Sequence, residues 1–189
     1  MSVRSEAWTI YRQALPVLLV SLAGGLFAGL ILEDMVEHVA RFPGLLVMIP
    51  VFLATRGNIY GALGGRIASG LHQGVIEPAF ERNDRLVNAV VASFVNAIGI
   101  SIVIAAITWA VLAGLDREVA ALWELVAIML VSGVLTSVVL IAGLLAIIFA
   151  GFDRGYDPDN LVGPIVTTLG DIFGMLFLLL AVVSVEVLA

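Results

Sequence analysis

Long apolar runs separated by short polar stretches account for almost the whole chain. A bilayer core of roughly 30 Å needs about 20 apolar residues in a helix. By that rule the chain has membrane segments near 14–32, 44–70, 86–113, 121–150 and 160–188. The expected fold is therefore an all-α integral membrane protein of five transmembrane helices. Residues 1–13 form a short cytoplasmic N-terminus and 14–189 the transmembrane domain. Arg12 precedes the first run without a small-residue cleavage site, so that run reads as a helix and not as a removable signal. Five spans put the termini on opposite sides. With the N-terminus inside, Arg4, Arg12, Arg82, Arg85 and Arg154 are cytoplasmic and only Arg41 and Arg117 lie outside. The excess of inside arginine predicts a multi-pass cell-membrane protein with a cytoplasmic N-terminus and an outside C-terminus.

Polar interruptions of the apolar pattern mark where chemistry sits. The last segment carries Asp171 in its middle, with Thr167 four residues earlier and Thr168 and Pro164 on the same helical face. An ionisable residue at membrane depth usually faces a bundle interior or a water-filled route for ions or protons. Asp157 before Pro158 reads as an N-cap with proline in the first helical position. The second segment holds Arg56, Asn58 and Arg66 among Gly57, Gly61, Gly64 and Gly65. Pro50 is expected to kink or break that helix, and broken backbone at membrane depth must be buried in protein or line a cavity. Tight packing through small residues also accounts for the glycines, but not for Asn58 and two arginines. The polar seams of the third and fourth segments, Asn88 with Asn96 and Ser132 with Thr136, fit interhelical hydrogen bonding.

Composition narrows the chemistry. Of 189 residues 61% are hydrophobic and 13% charged, against about 25% charged in ordinary soluble domains. There is no cysteine, so no disulfide, thiolate site or cysteine nucleophile. No HExxH, GxSxG or similar pattern appears, and both histidines, His38 and His72, fall at segment ends. An enzyme is not expected, and neither is a cofactor. The net charge of −6 argues against nucleic acid and suits a cation. Magnesium is often held through its waters by one or two carboxylates, which matches one Asp171 per chain doubled across a two-fold axis. Asp171 has two rival roles: a proton-binding acid in an exchanger, or an ion pair with Arg56 or Arg66.

The stretch YDPDNLVGPIVTTLGDIFG resembles the MgtE family of magnesium transporters. Asp157, Pro158, Pro164, Val166, Thr168, Leu169, Asp171 and Gly174 carry the likeness, supported by Pro50, Val51, Thr55, Gly57 and Asn58 in the second segment. The resemblance implies a magnesium pathway at a homodimer interface, lined by the second and fifth helices. Asp171 is then the main acid for hydrated Mg2+, with Thr167, Thr168, Asn58 and Gly57 lining the route. Bacterial members have glycine at Arg56 and an Asn/Gln pair at Gly61 and Ala62; the RGN form is more similar to the eukaryotic solute-carrier branch. That branch carries two five-helix units per chain, and the single unit here implies a dimer within the lipid bilayer. It also leaves Na+- or H+-coupled exchange open. Bacterial members carry cytosolic gating domains, so a separate cytosolic regulatory chain is an expected partner. A membrane scaffold subunit of a partner-regulated complex is the alternative of another class.

Overall fold

The computed structural model describes residues 3–81 and 83–188, and the regular elements among them are all α-helices. They are α1 (Val3–Asp34), α2 (Val36–Arg41), α3 (Leu45–His72), α4 (Asp84–Gly114), α5 (Leu122–Phe152) and α6 (Pro158–Leu188). Helices α3 to α6 are long and apolar enough to cross a membrane, with mean hydropathies of 1.4, 2.4, 2.7 and 2.3 in their spanning windows. They coincide with the second to fifth expected segments to within two residues at either end. The first segment lies within α1, which already starts at Val3 and so takes in most of the expected polar tail. Arg82, counted among the inside arginines, lies outside the described residues.

Of the kink or break expected at Pro50, the break does not occur: α3 runs continuously from Leu45 to His72. Pro50 comes early in the helix and points outward. Its missing N–H deprives only the Leu46 carbonyl of a partner. Asn83 caps α4, its side-chain oxygen accepting from the backbone N–H groups of Arg85 and Leu86 at 3.0 and 3.2 Å. At the turn into α3, Gly44 has a φ of 100°, and a Cβ there would stand 3.1 Å from Leu112 of α4. Both constraints favour glycine.

α5 packs between α4 and α6, α3 lies against α4 and α6, and α1 covers α6 from outside. The apolar interior is in two parts. One gathers Phe42, Met48, Phe52, Met129, Leu178 and Val182. The other gathers Tyr60, Leu63, Ile67, Leu144, Val162 and Val166. Between them lies a buried polar waist of Arg56, Ser101, Ser132, Thr136 and Ser137. Its serines bond mostly within their own helices: Ser132 Oγ donates to Ile128 O at 2.7 Å and Ser137 Oγ to Gly133 O at 2.5 Å. This differs from the interhelical bonding expected of the fourth segment, while Asn88 and Asn96 are exposed. Asp171 on α6 falls at the same division, between Val166 of one cluster and Met175 of the other.

Candidate cation path

The start of α6 is set as expected. Gly155, at φ 81°, turns the chain, and Asp157 Oδ1 then accepts from Asp159 N at 3.0 Å. Pro158 opens the helix. The seam between α3 and α6 can be read from two glycines. A Cβ on Gly64 would meet Val162, and one on Gly174 would stand 2.7 Å from Leu53 Cδ2. The helices therefore run antiparallel, and residues 55–58 of α3 come level with 168–171 of α6.

Four of the five expected site residues sit at this level without being drawn away by another helix. Asp171 is half-buried and has no hydrogen bond or ion pair among the described residues. Thr167 is exposed and turns its hydroxyl back to Gly163 O at 2.8 Å. Asn58 is exposed and Gly57 half-buried. The fifth, Thr168, behaves differently. Its Oγ1 lies 3.1 Å from Ser21 Oγ on α1, and its methyl would stand 2.8 Å from a Cβ on Gly24. It borders an apolar cleft of about 380 Å³ with Pro16, Val20 and Leu169. Helical spacing gives the angle of Thr168 on α6 but not the neighbour filling that direction, and the neighbour is α1.

Neither arginine of α3 meets Asp171. Arg56 is fully buried, and its Nη2 donates to Ala97 O at 3.1 Å and to Ser101 Oγ at 2.5 Å, both on α4. Arg66 is exposed in a cleft of about 600 Å³ between α3 and α4, beside Ser69, Gln73 and Arg85. One grouping escaped the sequence reading. The antiparallel seam brings His72, at the end of α3, to 3.4 Å from Asp157 and 3.7 Å from Asp159. The signal was the pairing of helix ends, visible only once α3 and α6 are known to be neighbours. Glu33 and Asp34 at the end of α1 and Glu37 of α2 are exposed, whereas His38 and Arg41 of α2 both bind Glu186 near the end of α6.

A carboxylate without a protein counter-charge, level with an outward amide and hydroxyl, can accept hydrogen bonds from the water shell of a cation. Residues 49–181 match the MgtE family, described as a divalent cation transporter. The chain is 28% identical over 182 residues to solute carrier family 41 member 3 of Rattus norvegicus. That match covers 91% of this chain and 38% of the relative, so the chain spans well under half of the relative's length. No solved structure matches.

Proposed function

Since the chain belongs to the MgtE family of divalent cation transporters, we propose that it carries hydrated Mg2+ across the cell membrane along the α3–α6 seam. The family's members are transporters and not enzymes, and four membrane-crossing helices make this a multi-pass membrane protein. The observation that carries the finer reading is Asp171, an intramembrane carboxylate lacking any protein partner among the described residues and level with exposed Asn58 and Thr167. An intramembrane acid left without a counter-charge is costly unless an ion or water meets it.

In this reading α1 is a fifth span. Its exposed Leu18, Leu22, Leu26 and Leu30 support that, since such a row suits lipid. The outward face of α3 carries Ala54, Asn58, Ala62 and Gly65, all uncovered or nearly so. Small residues permit close helix approach in a bilayer, which supports a second copy across a two-fold axis, with both Asp171 carboxylates at one hydrated ion. Gly57 and the backbone near Thr167 border the route, while Thr168 steadies α6 against α1. The N-terminus is cytoplasmic and the C-terminus outside, and regulation comes from a separate cytosolic chain.

The test is Mg2+ uptake into sodium-free, pH-clamped proteoliposomes containing this chain alone, beside Asp171→Asn. Rapid uptake lost in the variant is the expected result. Uptake unchanged by the substitution would sink the assignment. Uptake appearing only with a Na+ or H+ gradient would make the protein a coupled exchanger, and uptake appearing only with an added cytosolic protein would make it a subunit.

A further inference from the structure

A cation route would be expected to avoid a guanidinium, yet Arg56 stands fully buried at the level of Asp171. Its surroundings hold the charge in one place. Beyond the bonds to Ala97 and Ser101, Cζ lies 4.5 Å from the centre of the Phe52 ring. A Cβ on Gly133 of α5 would be 3.2 Å from Nη2, so the socket closes tightly from that side too. No carboxylate pairs with Arg56 among the described residues. Its Nε and Nη1 make no well-aligned hydrogen bond, and the Tyr60 hydroxyl that lies near both Arg56 and Ser137 supplies no counter-charge. Burying a charge without a counter-charge is strongly unfavourable. A residue serving packing alone does not require it.

The same socket connects Arg56 to the path. Phe52 lies under the guanidinium on one side, and its Cε1 is 3.7 Å from the Cβ position of Gly174 on α6. Gly174 stands one helical turn beyond Asp171. The guanidinium is therefore on the order of 10–15 Å from Asp171, given ~5 Å between residues one turn apart on a helix. The intervening Phe52 is fully buried.

We propose that Arg56 is a fixed positive charge that weakens cation binding at Asp171, so that an ion drawn to two carboxylates can still leave. The proposal rests on the reading of Asp171 given above. Conduction requires binding favourable enough to admit an ion and weak enough to release it. The energy of an ion in the field of a fixed charge is proportional to its valence. With the ion about 15 Å away and an effective dielectric of about 20, each of the two Arg56 charges lowers monovalent binding about sixfold, so the pair lowers monovalent binding roughly fortyfold and divalent binding roughly a thousandfold. Arg56 thus acts from behind α3 as a specificity-determining charge, without touching the ion.

The experiment uses the full chain in lipid nanodiscs, with Mg2+ binding followed by calorimetry and Na+ binding by its competition against Mg2+. Arg56→Gln, which removes both charges, should tighten Mg2+ up to about a thousandfold and Na+ by about the square root of the same factor. Ser101→Asp places a carboxylate against Nη2 and neutralises the guanidinium in place, so it should reproduce the tightening even where Arg56→Gln folds poorly. Unchanged affinities in Ser101→Asp, or equal shifts for Mg2+ and Na+, would each overturn the proposal. Asp171→Asn separates the two ideas. Mg2+ binding that ignores Asp171 overturns the path and this proposal together. Binding that needs Asp171 but ignores the charge at position 56 overturns this proposal alone.

Discussion

Gly64 is where the α3–α6 seam is tightest, and Gly64→Ala tests whether that seam is real. A Cβ on Gly64 would fall against Val162 Cγ1, 2.8 Å from Cγ2 and 3.2 Å from Cβ. Valine in a helix has one strongly preferred rotamer, so Val162 cannot swing away and the helices must part. Overpacking costs about 1–3 kcal/mol, and three Val162 atoms at or inside 3.2 Å put this case at the upper end, about 2–3 kcal/mol. Replacing glycine within a helix returns about 1 kcal/mol through propensity. The net loss expected is about 1–2 kcal/mol, and it is felt fully because membrane helices associate mainly by packing. Val162→Ala removes the obstructing methyls, at its own cost of about 1–2 kcal/mol for the space left behind. Combined with Gly64→Ala it should recover about 1 kcal/mol or more relative to the sum of the single changes. The assay is reversible unfolding in detergent micelles of all four proteins, with Mg2+ uptake measured on the same preparations. Gly64→Ala as stable as the parent, or no coupling with Val162→Ala, would refute the register on which the level of Asn58 and Asp171 depends.

Two further substitutions probe the path and the socket behind it. Asn58→Leu should leave stability within about 0.5 kcal/mol, as an outward position allows, while reducing Mg2+ uptake several-fold; a variant with full uptake would return Asn58 to packing. Gly133→Ala would set a Cβ 2.5 Å from Ser101 Oγ and 3.2 Å from Arg56 Nη2. Displacing that buried, charge-assisted hydrogen bond should cost roughly 2–4 kcal/mol, and a neutral result in the unfolding assay would contradict the close fit around the guanidinium.

The helices were legible because their signals are local. The last apolar run opens at a turn that the sequence marks, the Asp157–Pro158 pair. Asp171 stood out for the same reason, as an acid within an apolar run. Directions across helices were not legible. Thr167 and Thr168 both flank Asp171 on the helical wheel, and only the position of α1 turns Thr168 toward Ser21. The sequence offered Arg56 an ion pair with Asp171 and held no sign of its socket on α4 and α5. The choice was made by Ala97 and Ser101 on α4 and by the absence of a side chain at Gly133 on α5. Pro50 did not end α3, which continues past it although the Leu46 carbonyl loses its partner.

The socket of Arg56 also bears on how the protein is made. α3 has the lowest mean hydropathy of the four membrane-crossing helices, 1.4 against 2.4 for α4. A central arginine opposes insertion of a solitary helix by about 2.5–3.5 kcal/mol on the scale set by the translocon. The groups that receive the guanidinium, the Ala97 carbonyl and the Ser101 hydroxyl, belong to α4 and leave the ribosome later. α3 is therefore a poor guest in lipid until its successor emerges, and the two helices enter the bilayer as a hairpin. The order of synthesis bears on the largest side chain that is fully buried among the described residues.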